Sequence, residues 1–451
     1  MSKYIKINRG LNIKLPGEAS KIVSDLPLAD TFAIKLSDFI GITPVMLVKA
    51  GDNVQSGTPL FLDKTNEAIQ FCSPVSGEVI EIIRGEKRKI LEVKLLADKE
   101  ISYVAVNKAD PADLSREDII KALLNSGIWP FIRQRPFGII ADPNQTPKSV
   151  FISAFDSSPL APDNNFIMRD DSEDFQTGLN VLRKLTDRKV HLNINADTAP
   201  AKVFANAEGV QINKISGPHP AGNVGVQIHH IDPVNKGDVV WCINPQDVLI
   251  IGRLFNKGIF DAARVVALTG SQIEAPKYYK TIVGSAVKNI IRDGGLKVGE
   301  SRLISGNVLT GKQITPDGYL GFYDSQITVI PEGHQHEFMG WLAPGFRKFS
   351  MSRTFFSWLA PNKKHDLTTN LHGEERPFVV TGEYEKVFPM DIYPVHLLKS
   401  ILIEDIELME KLGIYEVVEE DFALCEFVCT SKIESQDIIR KGLDIVRKEL
   451  S

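Results

Sequence analysis

The run VKAGDNV, residues 48–54, opens a series of short apolar stretches that are separated by glycine turns. GTPL (residues 57–60) and SPVSGEV (residues 73–79) continue the series, which extends over residues 44–100. Valine, isoleucine and leucine alternate with polar residues, as in half-buried β-strands, and glycine supplies the positive φ that tight turns need. The sequence therefore predicts a small β-sandwich in this part of the chain.

These strands resemble the barrel-sandwich hybrid of biotinyl and lipoyl carrier domains. A working carrier presents a modifiable lysine at the tip of a hairpin, here the one between Leu60 and Pro74. We expect the tip near Asn66 and Glu67, beyond the nearest lysine, Lys64. We therefore interpret the domain as structural, with a lipoyl or biotin carrier as an alternative.

Residues 101–255 alternate between helix and strand signals. Ser115 and Asp118 form a capping box ahead of an apolar helical face, and residues 175–185 have a second amphipathic pattern. Residues 149–155 and 190–194 have the pattern of buried strands. This alternation predicts an α/β layer with a parallel sheet, which we describe as Rossmann-like.

Residues 262–313 resemble the soluble-ligand-binding β-grasp (SLBB) module. Residues 264–270 and 276–279 form its strand core, and a short helix is expected from Ser285 before a turn at residues 293–295. The resemblance implies a module that joins domains more often than it binds a ligand.

From about Phe388 onward, apolar residues recur at helical spacing, as in residues 395–402 and 438–450. This part of the chain is predicted to be helical. It contains Cys425 and Cys429, which have the spacing of the last two ligands of a ferredoxin-type iron–sulfur motif.

The two preceding ligand positions of that motif hold Glu419 and Phe422, which supply no thiolate. We therefore interpret Cys425 and Cys429 as small core residues in a ferredoxin-like helical domain without a cluster. His334 and His336 have no third ligand nearby in the sequence, so we interpret them as part of a solvated turn and predict no metal site.

Length and composition indicate an α/β protein of several domains. At 451 residues the chain is too long for one core. Its net charge of −5 gives no reason to expect a nucleic acid, and no apolar run reaches the roughly 18–20 residues that span a bilayer. We predict domains at residues 1–100 (N-terminal strands and sandwich), 101–257 (α/β), 258–345 (β-grasp) and 346–451 (linker and helical domain).

The order of these modules is similar to that of the flavin subunit of complex I and the C subunit of the Rnf complex. It is most similar to the A-subunit family of the sodium-translocating NADH:quinone oxidoreductase, over nearly the whole chain. The residues that carry the resemblance are 8–11 (NRGL), 126–129 (SGIW), 133–137 (RQRPF), 217–222 (GPHPAG), 302–306 (RLISG), 318–321 (GYLG), 352–354 (SRT) and 421–425 (DFALC).

The resemblance implies a peripheral subunit without a cofactor of its own, on the cytoplasmic face of the bacterial inner membrane. Membrane and flavoprotein partner subunits would hold FAD, FMN, riboflavin and iron–sulfur and would use NADH and quinone. We expect the chain to reach the membrane only through these partners and to contain no catalytic residue. The alternative is a flavin- or iron–sulfur-dependent NADH or ferredoxin dehydrogenase component of a complex I- or Rnf-like assembly.

The segment 128–137 (IWPFIRQRPF) argues against a flavin in this chain. The resembling flavin subunit has a glycine-rich phosphate loop there, whereas this segment contains no glycine and two prolines that donate no N–H. Trp129 and Phe131 would also fill the space that an isoalloxazine needs. We therefore expect no FMN or NADH site here.

Residues 217–232 hold three of the nine histidines, His219, His229 and His230. Glycine and proline spacing predicts a loop throughout, and we discount Gly222 and Gly225 as a nucleotide motif because no strand-to-helix turn is expected there. Two interpretations remain open: histidines that fix a rigid loop through hydrogen bonds to backbone carbonyls, or a polar contact with a headgroup or a partner.

A quinone site needs a donor for each carbonyl oxygen and an apolar slot. Our hypothesis places a quinone between the two segments. The donors would be Arg133, Arg135, His219, His229 and His230, and the slot would be lined by Trp129, Phe131 and Phe137. The two arginines could instead form interface ion pairs with a membrane subunit.

Overall fold

The computed structural model describes residues 3–334, 337–340 and 342–450, and four β-sheets organise them. Two small sheets form the N-terminal sandwich. One has the order β3-β9-β8-β5 and the other β4-β6-β7. The strands are β3 (Thr31–Lys35), β4 (Pro44–Met46), β5 (Asn53–Val54), β6 (Pro59–Asp63), β7 (Asn66–Cys72), β8 (Gly77–Arg84) and β9 (Ile90–Ala97).

The hairpin between β6 and β7 is tighter than the sequence suggested. Asp63 pairs with Asn66, so Lys64 and Thr65 form the tip, and our placement of the tip near Asn66 and Glu67 was wrong. The Asp63 carboxylate accepts hydrogen bonds from the Thr65 N–H and hydroxyl (3.2 and 2.5 Å), which closes the turn early. Lys64 is exposed at this tip.

The predicted parallel α/β layer is present. Its seven-stranded sheet has the order β1-β14-β13-β12-β15-β10-β11, with the four pairs from β1 to β15 parallel and the last two antiparallel. The strands are β1 (Tyr4–Lys6), β10 (Arg133–Arg135), β11 (Ile139–Ile140), β12 (Ser149–Ser153), β13 (Lys189–Asn195), β14 (Gln211–Ser216) and β15 (Val240–Cys242). The helices are α1 (Arg116–Asn125), α2 (Asn164–Ile167), α3 (Ser172–Lys184), α4 (Lys202–Ala205), α5 (Val224–Ile231) and α6 (Pro245–Lys257).

Residues next to one another in the sequence determine where the first helix of this layer, α1, begins. The Ser115 side chain accepts from the Asp118 N–H (3.1 Å), as the predicted capping box requires. The helix α5, by contrast, was not predicted. Residues 217–223 are a loop as expected, but the histidine pair that follows lies on a helix.

The six-stranded β-grasp sheet has the order β19-β18-β20-β16-β17-β2. Its strands are β2 (Ser20–Asp25), β16 (Ala263–Thr269), β17 (Lys277–Ile282), β18 (Ser301–Ser305), β19 (Lys312–Ile314) and β20 (Gln326–Pro331), and α7 (Lys288–Gly294) packs on it. The helix expected from Ser285 therefore begins three residues later, at Lys288.

The C-terminal part is helical, as predicted. Its helices are α8 (Tyr384–Val387), α9 (Pro394–Leu402), α10 (Ile406–Lys411), α11 (Ala423–Val428) and α12 (Ser435–Glu449). Their apolar faces share one buried cluster with the α/β layer, in which Leu397 and Phe422 join Phe151 and Val226. None of the described helices is long and apolar enough to cross a membrane.

The N-terminal strands do not pair within the sandwich. β1 pairs in parallel with β14 of the α/β sheet, and β2 pairs in parallel with β17 of the β-grasp sheet. The first 25 residues thus connect two later sheets before the sandwich begins. The four domain boundaries stay a prediction.

Candidate functional site

Trp129 and Phe131 are fully buried core residues. The Trp129 indole N–H donates to the Ala141 carbonyl (2.7 Å), and its ring packs edge-on against Trp241 at 5.4 Å between ring centroids. Phe131 stacks on Phe322 at 4.5 Å. Both aromatic side chains therefore fill the contact between the α/β layer and the neighbouring sandwich and β-grasp domains.

Arg133 lies at the edge of the same core. Its guanidinium carbon is 5.0 Å from the centre of the Tyr323 ring, and Nη2 is 3.5 Å from the Asn244 side-chain oxygen. The side chain is half-buried, so this cation keeps contact with water.

Arg135, two residues further along β10, has no such contact with solvent. Its Nη1 donates to Asp421 (2.7 Å) and to the Glu416 carbonyl (3.2 Å), and its Nη2 donates to Glu420 (2.6 Å). The two carboxylates hold the guanidinium in its charged form and raise its pKa, although burial opposes this. Burial also raises the pKa of Asp421, whose Oδ1 has no hydrogen-bond partner among the described residues. We call Arg135, Glu420 and Asp421 the buried ion cluster.

The buried ion cluster lies against the first turn of α5. A Cβ added to Gly225 would be 2.5 Å from both Arg135 Nη1 and Asp421 Oδ1, so only glycine fits there. Asn223, just before the helix, donates to the Glu420 carbonyl (3.2 Å). Arg135 and Asp421 therefore fill the space beside the first turn of α5.

This arrangement corrects our dismissal of the two glycines. Gly222 does lie on a strand-to-helix connection, from β14 to α5, and Gly225 lies in the first turn of α5. The Gly222 N–H donates to the Ser157 hydroxyl (2.8 Å), and a Cβ at Gly222 would be 2.5 Å from the Ser157 nitrogen. Close packing against the chain itself accounts for both glycines.

Phe137 lies on the same side as the buried ion cluster. It has a positive φ of 79° and contacts Tyr415 edge-on at 6.3 Å between ring centroids. Its carbonyl accepts from Arg440 Nη1 on α12 (2.9 Å). Phe137 is therefore held by the C-terminal helices.

His219 is buried in the loop before α5. Its Nδ1 is 3.0 Å from the Ser157 hydroxyl, and its backbone N–H donates to the Asn12 side chain (2.9 Å). Burial lowers the pKa of His219 to about 4, although Asp156 and Glu420 favour the cation. The imidazole is therefore neutral near pH 7 and serves to hold the loop.

His229 and His230 contact the C-terminal part from α5. His229 Nδ1 is 2.7 Å from Glu416, and its Nε2 accepts from the Asp391 N–H (3.0 Å), which fixes the proton on Nδ1. His230 is exposed, and its Nε2 donates to the Pro389 carbonyl (3.0 Å). Although part of the side chain is exposed, partial desolvation of the ring and the neighbouring His229 lower the pKa of His230.

The structure thus brings together five of the eight predicted residues. Arg135, Phe137, His229 and His230 contact the C-terminal part, and His219 lies near Glu420. Trp129 and Phe131 belong to the other buried cluster, and Arg133 contacts Tyr323 at its edge. The residues that hold this group together, Glu416, Glu420 and Asp421, were missed by sequence reasoning. The acidic run EED at residues 419–421 was the signal available, but nothing local connects it to Arg135.

Cys425 and Cys429 are buried free thiols in the core shared by the C-terminal helices and the α/β layer. Burial raises the pKa of Cys425 well above its usual value, so it stays a neutral thiol. Across the described residues, no three His, Cys, Asp or Glu side chains are grouped to hold a metal ion; His336 lies outside them.

Three family models match the chain. They are described as the NqrA N-terminal barrel-sandwich hybrid domain (residues 5–98), the NqrA second alpha/beta domain (residues 114–260) and, as an SLBB model, the NQRA C-terminal domain (residues 265–315). Their order agrees with the three sheet-containing parts of the structure.

The chain is also similar to curated proteins over its full length. It is 39% identical over 448 residues to the A subunit of the Na(+)-translocating NADH-quinone reductase of Photorhabdus laumondii, covering 99% of this chain and 100% of that one. A protein of the same name from Neisseria meningitidis serogroup A is 40% identical, with 99% and 100% covered. An NAD+-reducing [NiFe]-hydrogenase structure matches 76% of this chain and 63% of its own with 12% identity, but its TM-score of 0.40 supports no argument.

Proposed function

The chain belongs to the A-subunit family of the Na(+)-translocating NADH-quinone reductase, and on that premise we propose that it is the peripheral A subunit of such a complex. The observation that carries the proposal is the match at 39% identity over 99% of this chain and all of its relative. The order of the three matched domains and the length of the chain therefore both agree with those of this family. In this proposal the complex couples NADH oxidation and quinone reduction to sodium export, and the isolated chain is not catalytic.

We propose further that the redox cofactors belong to the partner subunits. The packing of α5 supports this, because Arg135 and Asp421 fill the space beside Gly225 in its first turn and leave no room there for a cofactor phosphate. Cys425 is a buried neutral thiol, and among the described residues no three His, Cys, Asp or Glu side chains are grouped to hold a metal ion. The C-terminal helices would then be a ferredoxin-like domain without its cluster, beside a Rossmann-like layer.

The alternative is a dehydrogenase component that carries its own flavin or iron–sulfur cluster. The purified chain should have no visible absorption and no iron. Stoichiometric flavin or iron in the purified chain would favour the dehydrogenase over our proposal.

We propose that the chain docks to its membrane and flavoprotein partners on the cytoplasmic face, partly through α9. Leu402 and Ile403 at the end of α9 are exposed, as is expected of a partner surface. Deleting the chain from residue 388 would remove more than half of the buried residues of a shared core, so point variants are the better test. Leu402→Glu with Ile403→Glu should abolish co-purification with the membrane subunit.

The matched control is Leu296→Glu with Val298→Glu, a second exposed apolar pair, in the β-grasp domain. It should leave co-purification unchanged. Equal loss in both pairs, or in neither, would exclude α9 as the dock.

For quinone, we propose that the ring lies between residues 129–137 and 219–230, on the side where Phe137, His229 and His230 contact the C-terminal part. Phe137 is half-buried and could form an apolar wall, and His230 is exposed, so its Nε2–H, which donates to the Pro389 carbonyl here, could donate to a quinone carbonyl instead. Trp129, Phe131, Arg135 and His219 would support the site from within, since each is buried against the protein itself. Arg133 would flank the site at the edge of the other core.

Quinone titration of His230→Ala tests this site. Losing one hydrogen bond to a partly desolvated ligand, about 1–3 kcal/mol, should weaken affinity roughly five- to a hundredfold. His396→Ala, an exposed histidine on α9, is the control and should bind as the wild type does. Equal affinities for all three proteins would place the quinone elsewhere, in the membrane subunits.

One observation favours a second candidate, the covalent carrier. Lys64 lies at the exposed tip of a two-residue turn, which is the position that a carrier lysine needs. Intact mass spectrometry of the native protein decides between them. A lipoyl or biotinyl increment on Lys64 would support the carrier, and an unmodified mass would exclude it.

A further inference from the structure

Residues 338–364 differ from the rest of the chain in composition. This run of 27 residues, FMGWLAPGFRKFSMSRTFFSWLAPNKK, has seven aromatic residues, five lysines or arginines and no aspartate or glutamate. The whole chain is 8% aromatic and carries a net charge of −5. We call residues 338–364 the aromatic–basic segment; Trp341 within it lies outside the described residues.

The apolar side chains of the aromatic–basic segment point into solvent. Those more than half exposed are Phe338 (94%), Leu342 (60%), Phe346 (58%), Phe356 (52%) and Leu359 (63%), and Trp358 is 46% exposed. Scattered single exposed apolar residues are normal on a protein surface, but this density within one short segment is not. The segment therefore exposes apolar area that would be more stable in contact with a binding partner or a lipid surface than with water.

The aromatic–basic segment is nevertheless attached to the body of the protein. The Lys14 carbonyl accepts from the N–H of His365, just after the segment (2.8 Å), and Lys14 Nζ donates to the Pro361 carbonyl (3.1 Å). The Phe349 ring lies 5.7 Å from Phe427 of α11. The exposed side chains are thus displayed from a segment that is fixed at several points.

Its cations are only partly neutralised. Lys364 is 3.7 Å from Glu18, and Lys348 pairs with Glu337. Arg347, Arg353 and Lys363 have no ion-pair partner among the described residues, and Arg353 lies over the Trp358 ring at 6.0 Å. The segment therefore keeps a positive surface in an otherwise acidic protein.

We propose that the aromatic–basic segment binds directly to the surface of an anionic phospholipid bilayer. Its lysines and arginines would meet the headgroups, and its phenylalanine, leucine and tryptophan side chains would enter the interfacial layer. The centre of a protein–protein interface is depleted of lysine, whereas three of the five cations here are lysines, so a lipid surface fits better than a protein partner. The proposal rests on the proposed membrane complex for its setting and adds a contact that needs no partner subunit.

Sedimentation of the full chain with vesicles tests the proposal. The chain should bind vesicles containing phosphatidylglycerol and bind phosphatidylcholine vesicles much less, with binding reduced at high salt. Lys363→Glu with Lys364→Glu should lower binding at least roughly tenfold, since each basic residue near an anionic surface contributes. Leu359→Ser should weaken binding without changing its salt dependence.

Two controls match these variants. Lys87→Glu with Arg88→Glu reverses an adjacent exposed basic pair in the sandwich domain, and Val298→Ser removes an exposed apolar side chain from the β-grasp domain. Both should bind vesicles as the wild type does. Equal loss in the test and control pairs would mean that net charge alone drives binding, which would overturn the proposal.

Tryptophan fluorescence gives a second, local readout. Trp129 and Trp241 are fully buried, so in a Trp341→Phe background Trp358 is the indole positioned to sense lipid. Its emission should shift to the blue on binding anionic vesicles, and Trp358→Phe should abolish the shift. No binding to any vesicle would overturn the proposal and leave a protein partner as the occupant, while membership of the A-subunit family would be unaffected.

Discussion

Two buried arginines connect the α/β layer to its neighbours, and they do so differently. Arg264 of the β-grasp strand β16 donates to Asp247 of α6 (2.5 Å) and to the carbonyls of Phe322 and Asp324. Arg135 of β10 donates to two carboxylates of the C-terminal part. The first pair joins residues 17 positions apart in the sequence, and the second joins residues 285 and 286 positions apart. Both hold neighbouring parts together, but only the second connects segments that are distant in the chain.

The largest expected effect comes from Arg135→Ala. It leaves Asp421 as a buried charge without its cation, which should lower the free energy of unfolding by about 3–5 kcal/mol. Hydrogen exchange should rise first in α9 and α12 and spare β16 and β17. Urea unfolding gives the total loss, and exchange gives its location.

Arg264→Ala is the matched variant. Its loss of stability should be similar, but hydrogen exchange should rise in the β-grasp sheet instead. If hydrogen exchange rose in the same helices and strands in both variants, the two arginines would stabilise the same part of the protein, contrary to the difference proposed here.

The next largest effect is a pH dependence of the free energy of unfolding, which arises from His219 near the buried ion cluster. The pKa of His219 falls from 6.5 to about 4 on folding, so below pH 6.5 the unfolded state takes up a proton that the folded state refuses. The contribution of His219 to the free energy of unfolding is therefore fully present above pH 6.5. It falls by about 3 kcal/mol as the pH drops toward 4. Urea unfolding at several pH values should show this slope.

His219→Gln should remove part of that slope. His191, stacked on Phe151 in the sheet, also has its pKa lowered to about 4, so it should account for a second, similar part. An unchanged slope in the His219 variant would mean that the loop opens before the histidine titrates.

A smaller loss is expected when the charges are removed together. Arg135→Met with Asp421→Leu replaces a buried pair by apolar groups, and Glu420 is partly exposed and can be solvated. The double variant should lose only about 1–2 kcal/mol, less than Arg135→Ala, because no buried charge is left unpaired. A loss as large as in the single variant would show that the hydrogen bonds, rather than the charges, matter most.

The smallest effect is expected at Arg133, two residues from Arg135. Its contact with Tyr323 is half-buried and carries no ion pair among the described residues, so Arg133→Met should cost about 0.5–1 kcal/mol. Thermal unfolding would detect it. A loss approaching that of Arg135→Ala would contradict the distinction drawn between these neighbours.

These contacts show what the sequence could and could not reveal. The capping box at Ser115 is local, so helix α1 was predicted correctly. The order of the three sheet-containing parts was implied by a resemblance to known modules. The alternation of helix and strand in the α/β layer and the buried role of Cys425 followed from spacing and pattern. Such features depend on residues close together in the chain.

Two features that the sequence did not predict, helix α5 and the contact of Arg135 with Glu420, depend on residues that are far apart in the chain. Gly225 weakened the helix signal of α5, yet a Cβ at that position would collide with Arg135 and Asp421, 90 and 196 positions away. The closeness of Arg135 to Glu420 likewise follows from how the C-terminal helices pack, which no local pattern encodes. The tip of the hairpin at Lys64 was misplaced for a local reason. The Thr65 hydroxyl donates to the Asp63 carboxylate, and this hydrogen bond closes the turn earlier than we expected.

The placement of β1 and β2 has a consequence for synthesis. Tyr4 pairs with Lys214, and Ser20 pairs with Lys277, so β1 and β2 bind strands that are made more than 200 residues later. At roughly 5–20 residues per second, these early strands wait about 10–50 s with unpaired backbone groups. Neither large sheet can be completed in the order of translation, and the start of the chain finishes both of them after most of the rest has emerged.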